Sequence, residues 1–202
     1  AEIVAKGLLA AGVKPGDHVA VQLENSPRQL LIALAVNAVR AVKVPVNISL
    51  ASKELQFILN QSEANYLLTD SNIRLTEKVG CLTRIIALEG ACCQVDIPVI
   101  SWEDFLAAGN GWSLPSDSGG AFADEVCDII YTSGSTKAPK GVMLTHDMLM
   151  RSAFASCINR GFEPGRRIYI PLPLFHVYGY VEGMLAAILV GGAVLLRCGK
   201  FI

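Results

Sequence analysis

Four hydroxyl side chains crowd around one glycine in Thr132-Ser133-Gly134-Ser135-Thr136, and Lys137 and Lys140 follow at once. Polyphosphate binding asks for such parts: hydroxyl and backbone N–H donors in a tight loop, no bulk where the backbone approaches oxygen, and a mobile cation. A Ser/Thr-rich hairpin turn that merely caps its own backbone has a similar composition, so residue types alone leave both readings open. The order is not that of a Walker A loop, because Lys140 precedes Gly141 and no helix begins at once. A Gly-x-Gly-x-x-Gly dinucleotide fingerprint is also absent.

A loop of this kind needs a buried strand to carry it. Val126–Tyr131 reads as that strand, Val142–Leu144 as the next, and Thr145–Ile158 as a helix. Upstream, the turn signal Lys14-Pro15-Gly16-Asp17 precedes a short strand, His18–Leu23. Asn25-Ser26-Pro27 then marks a helix start, with Leu30, Leu31, Leu34, Ala35 and Ala38 at helical spacing. Val42–Val46, Tyr66–Thr69 and Arg84–Leu88 read as strands, and Ser52–Gln61 and Ser101–Ala107 as helices. Beyond the loop, Arg167–Pro171 and Ala193–Leu196 read as strands flanking a helix over Val181–Leu189.

This alternation predicts an α/β fold of layered, mostly parallel sheets with crossover helices. A Gly-, Ser- and Pro-rich stretch over 108–124 divides a first α/β portion, 1–107, from a second, 125–202, that carries the loop. Residues 1–6 read as a helix entered partway along, and the last strand is followed by no closing helix. The sequence is therefore expected to be the N-terminal piece of a longer protein.

The 202 residues are 52% apolar and 17% charged, with a mean hydropathy of +0.44, which suits strands buried on both faces. Net charge is −1 with scattered Lys and Arg, so nothing marks a nucleic-acid or acidic-membrane surface. The charge-free run Met184–Leu196 is too short to span a bilayer. The six cysteines form no C-x-x-C pair and read as reduced thiols of a cytoplasmic protein, Cys127 and Cys157 in core segments. His18, His146 and His176 never approach metal-ligand spacing. His18 is expected at the surface and His146 at a helix start.

Taken whole, Tyr131 to Val142 resembles the phosphate-binding signature of the adenylate-forming superfamily, Y-T-S-G-S-T-G-x-P-K-G-V, at every specified position but one. That superfamily comprises acyl-CoA synthetases, luciferases and the adenylation domains of peptide synthetases. Met143-Leu144-Thr145-His146 continues the match. Asn25-Ser26-Pro27, Val44-Pro45-Val46-Asn47, Glu54-Leu55 and Ser62-Glu63-Ala64 resemble the family's N-terminal region. Pro171 to His176, with Gly179, Gly183 and Gly191-Gly192-Ala193, resembles its next core motif. The run Val177 to Gly183 is more similar to fatty-acyl and aryl-CoA ligases than to peptide synthetases.

The resemblance implies a two-step ligase using ATP, Mg2+ and coenzyme A on a small carboxylic acid, fatty or aryl. It assigns Thr132, Ser133, Gly134, Ser135, Thr136 and Lys137 to the phosphate cradle and Lys140 to the β- and γ-phosphates. Phe175, His176 and Gly179 would line the acyl pocket, with His176 beside the reacting carboxylate; a histidine packed at a strand end is the alternative. The family's adenine contacts, acidic magnesium ligand and C-terminal catalytic lysine are not found before Ile202, so the piece alone is expected to be inactive. Two residues depart from the pattern: Lys137 replaces a glycine, and Arg40 stands where a glycine is expected before the strand Val42–Val46. A degenerate, non-catalytic relative and an acyl-AMP ligase that loads a carrier protein are the alternatives in function.

Overall fold

The strands that the sequence leaves apolar on both faces assemble side by side, and helices cover them. The computed structural model describes residues 1–75, 78–114, 122–132 and 138–197. The chain runs α1 (Glu2–Ala10), β1 (His18–Gln22), α2 (Pro27–Ala38), β2 (Val42–Pro45), α3 (Ser52–Gln61) and β3 (Tyr66–Thr69). There follow β4 (Ile73–Arg74), β5 (Arg84–Ala87), β6 (Cys93–Gln94), β7 (Val99–Ser101) and α4 (Trp102–Ala108). The second portion holds β8 (Val126–Thr132), β9 (Lys140–Thr145), α5 (His146–Arg160) and β10 (Arg167–Ile170). A π-helical segment, Tyr178–Leu185, runs into α6 (Ala186–Leu189), and β11 (Ala193–Leu196) closes the order.

Seven strands form one sheet in the order β7-β5-β3-β1-β2-β8-β9, parallel except for the antiparallel pair β8 and β9. Strands from both sides of 108–124 therefore share one sheet. Its two faces follow the period of two along each strand. Val19 and Val21 of β1 face a layer with Leu8 of α1, Ile32 and Val36 of α2 and Phe105 of α4. Ala20, between them, faces Leu55, Ile58 and Leu59 of α3. A third cluster gathers Cys127 and Ile130 of β8, Leu149 and Ala153 of α5, and Tyr180 and Met184 of the π-helical segment. β10 and β11 pair in parallel beside it, and β4 and β6 form a separate small ribbon.

The expected strands and helices stand close to their anticipated positions; three short strands, β4, β6 and β7, are additions. The helix expected from Val181 begins at Tyr178 instead, in π form. Gly179 makes this possible: a Cβ there would lie 2.4 Å from the Pro173 carbonyl oxygen. The glycine is a close approach between helix and loop, not a helix end. Helix α2 is capped by Ser26, whose Oγ accepts from the Gln29 N–H at 3.4 Å, and not by Asn25. His18 is half-buried, its Nδ1 against the Ser62 carbonyl oxygen, and not a surface residue. His146 does open α5. Cys127 and Cys157 are buried free thiols, and burial pushes Cys127 up to about 12, so it stays a protonated, apolar group. Cys198 lies outside the described residues. Among the described residues no helix is long and apolar enough to cross a membrane.

Arg40 occupies the left-handed region at φ 58. A non-glycine residue there costs about 1–2 kcal/mol. Its side chain supplies a partial offset. The guanidinium pairs with both Glu125 carboxylate oxygens and stacks 3.9 Å above the Phe122 ring, tying the α2–β2 turn to the approach of β8. Such half-exposed contacts are each worth well under about 1 kcal/mol. Arg40→Ala should therefore lower stability by about 1 kcal/mol and Arg40→Gly should recover most of that, as urea unfolding would show. Equal stabilities for the Ala and Gly variants would refute the backbone argument.

Candidate active site

The mouth of the hydroxyl-rich loop is built by an antiparallel hairpin. Because β8 is parallel to β2, its end at Thr132 lies at the carboxyl edge of the sheet, where α/β folds place their ligands. There Thr132 pairs with Lys140 across the two strands, and both are exposed. The expected hydroxyl and the expected cation thus face each other at the open end. Ser133, Gly134, Ser135, Thr136 and Lys137 lie outside the described residues. One step below, Tyr131 pairs with Gly141, where a Cβ would meet Ile129 Cγ2 at 2.9 Å and Tyr131 Cζ at 3.2 Å. Only glycine lets those side chains lie across β9 at that point.

The second group of expected site residues follows β10. Phe175 is half-buried, and the exposed His176 ring lies against it with centroids 4.5 Å apart and planes tilted by 48°. The His176 backbone holds the bend, its N–H donating to Pro173 O at 3.2 Å and its carbonyl accepting from Tyr180 N–H at 3.0 Å. Its exposed ring is not packed into a strand end. Gly179 sits directly beneath, buried against the Pro173 carbonyl.

Asn25 holds this bend in place, a role that the sequence reading missed. It is 6% exposed; its Oδ1 accepts from Leu174 N–H and its Nδ2 donates to Leu172 O, both at 2.9 Å. The signal was faint: two adjacent cap-type residues precede α2, and the helix needs only one.

Among the described residues, no hydrogen bond or ring contact joins the Thr132–Lys140 mouth directly to the Phe175–His176 bend. A buried polar cluster lies between their supports. Lys43 of β2 is 4% exposed at its side chain and Asp128 of β8 is 0% exposed, with Nζ 3.1 Å from Oδ1. The same Nζ lies 3.1 Å from the centre of the Tyr180 ring, which is itself buried. Loss of water pushes the Asp128 carboxyl up and the Lys43 ammonium down, and each charge partly offsets the other's shift.

A mostly parallel α/β sheet with crossover helices, ending a central strand in this hairpin, has the architecture of the N-terminal domains of adenylate-forming enzymes. Residues 1–200 match the AMP-binding enzyme family, and the chain belongs to it. A feruloyl-CoA synthase of an Amycolatopsis species is 33% identical over 197 residues, 96% of this chain and 36% of that protein. The medium-chain fatty-acid–CoA ligase of Escherichia coli (strain K12) is 28% identical over 205 residues, 97% of this chain and 36% of that protein. The o-succinylbenzoate coenzyme A synthetase of Bacillus subtilis, solved in complex with AMP, superposes with a TM-score of 0.75 at 25% identity, covering 99% of this chain and 48% of that one. The chain spans little more than a third of the two curated relatives' length, 36% of each.

Asn25 gives the bend its test. Asn25→Ala leaves the Leu174 N–H and Leu172 C=O without their partner, and Asn25→Asp sets an acceptor against an acceptor. Each should cost about 1–3 kcal/mol in urea unfolding of the protein. An unchanged midpoint in both would show that water replaces the side chain.

Proposed function

We propose that the protein carrying this chain is an ATP-dependent acyl-CoA synthetase, an AMP-forming acid–thiol ligase. The observation that supports the reading is the hairpin mouth, where Thr132 and Lys140 are register partners at the carboxyl edge of the sheet. Membership of the AMP-binding family, with relatives named as CoA ligases, supports it.

In the first step a carboxylate oxygen of the acid attacks the α-phosphorus of ATP, and pyrophosphate leaves with the electrons of the broken P–O bond. In the second, the sulfur of coenzyme A attacks the acyl carbonyl of the adenylate and AMP is expelled. Charge gathers on the departing pyrophosphate, so donors fixed beforehand around it lower the barrier. Hydroxyls and backbone N–H groups of Thr132, Ser133, Gly134, Ser135 and Thr136 serve as those donors. Lys140 acts as a point charge at the β- and γ-phosphates, with Lys137 as a second cation. Magnesium, if bound with ATP, would add to the charge neutralisation that Lys140 supplies.

Phe175, His176 and Gly179 form the acyl-side wall, where His176 can orient the attacking carboxylate. The acid is a fatty or aryl carboxylic acid, in keeping with the medium-chain and feruloyl relatives. The protein works in the cytoplasm, consistent with its unpaired cysteines.

Two measurements test this. Carboxylate-dependent exchange of labelled pyrophosphate into ATP should be seen with the full-length protein and be absent from the 202-residue chain alone, which spans 36% of its relatives' length. Exchange by the isolated chain would refute the need for further segments; none by the full-length protein, against a panel of fatty and aryl acids, would refute the ligase reading. Lys140→Ala in the full-length protein should lower kcat at least about tenfold more than it raises KM for ATP, because its charge counts most as pyrophosphate departs. An unchanged kcat would remove Lys140 from the step.

A further inference from the structure

Strand β8 has to bring Thr132 to one fixed place, yet its registered ladder to the parallel sheet is short. Across β2 and β8 the register is defined by one residue pair, Lys43 opposite Asp128. On its other side β8 meets β9 through a register irregularity between Val126 and Asp128. The remaining parallel pairs of the large sheet are registered over three or four residue pairs each. Where the registered ladder is shortest, therefore, the sheet carries its one buried ion pair among the described residues.

A buried ion pair is a poor source of stability, because desolvating two charges cancels most of their attraction. Well-packed apolar residues of the same volume do as well or better. What the pair supplies is direction. Slipping a strand by one residue moves it about 3.3 Å and turns every side chain to the other face. Here the faces differ sharply. Lys43 and Asp128 meet on the side of Tyr180, whereas Val44 and Ile129 belong to the apolar layer beneath α3. A slip would carry the Asp128 carboxylate into that apolar layer and leave the Lys43 ammonium without a counter-charge. Only the native register pairs them. Tyr180 adds a third constraint, since its ring covers the ammonium and its backbone N–H donates to the His176 carbonyl.

We propose that the buried Lys43–Asp128 pair, seated under the Tyr180 ring, sets the register of the hairpin that carries the phosphate loop and so positions Thr132 and Lys140. As positioning residues they touch neither nucleotide nor acid. The consequence for catalysis rests on the ligase reading; the register itself does not.

The test compares Lys43→Met, Asp128→Leu and the double variant in the full-length protein. Each single variant strands one buried charge and should melt well below the parent; the double variant should melt at or near the parent temperature. With no charge left to forbid slippage, its amides over residues 126–132 should exchange at least about tenfold faster, while those of β1 and β3 are unchanged. Its kcat for pyrophosphate exchange should fall at least about tenfold with KM for ATP little altered, a split that lost stability alone does not produce. A double variant that keeps both amide protection of β8 and kcat within about twofold of the parent would overturn the proposal. Should that variant not fold, the exchanged pair Lys43→Asp with Asp128→Lys restores the charge pairing. It should recover β8 protection relative to the single variants, and its failure to do so would also overturn the proposal. If the unaltered protein catalyses no pyrophosphate exchange, the ligase reading fails while amide exchange still decides the register.

Discussion

The Asp128 carboxyl has no solvent exposure, and the Lys43 ammonium 3.1 Å away is the main group that offsets its loss of water; much of the architecture is arranged around that pairing. β2 and β8 have to be neighbours for Lys43 to meet Asp128, although α3, five strands and α4 lie between them in the chain. The aromatic lid on the pair comes from Tyr180, in the segment that follows His176. Three distant parts of the chain therefore converge on one pair of charges. The hydrophobic layers supply most of the folding free energy, but they are tolerant of small shifts. The charges are not. A displaced apolar side chain finds another apolar neighbour, whereas a displaced buried charge loses its counter-charge.

The same contrast explains what could be read in the sequence. β1, β2, β3 and β5 are largely apolar runs bounded by turn residues, and α2 and α5 begin at the cap residues Ser26 and Thr145, so their existence and type were plain. β4 and β6 are two residues each and carry no period at all. β7 exposes Val99, so it lacks the signature of a buried strand. The π-helical start at Tyr178 lies ahead of the helix read over Val181–Leu189, because only the close approach of the Pro173 carbonyl to Gly179, invisible in the sequence, lets the helix begin there. Arg40 was noticed as a missing glycine, and φ 58 supplies the reason why glycine would have been apt.

For the site, the chemistry was legible and the placement was not. Thr132 and Lys140 announced themselves because hydroxyls, glycine and lysine stand within a few residues of one another, and the hairpin puts those two face to face. Nothing local distinguishes Lys43 in Val42–Val46 from a strand lysine facing water, or Asp128 in Val126–Tyr131 from an exposed aspartate. Their roles depend on a pairing between strands far apart in the chain, which one sequence does not reveal. Asn25 is similar. It has the composition of a helix cap, and only the approach of Leu172 and Leu174 gives its amide both a donor and an acceptor partner.

The two arms of the site are therefore held by different physics. The acyl-side bend is fixed by neutral hydrogen bonds from Asn25 to two backbone groups, a geometry that an amide satisfies at both ends and a carboxylate does not. The phosphate-side hairpin is joined to the sheet at a charge pair, where slippage in either direction is penalised because the strand faces differ so strongly in polarity. Tyr180 belongs to both, through its backbone N–H on His176 and its ring over Lys43. On the proposed ligase reading, which needs a carboxylate and a phosphate within bonding distance, the two arms have to be referenced to one another. In this chain the described residue that touches the support of both arms is that tyrosine.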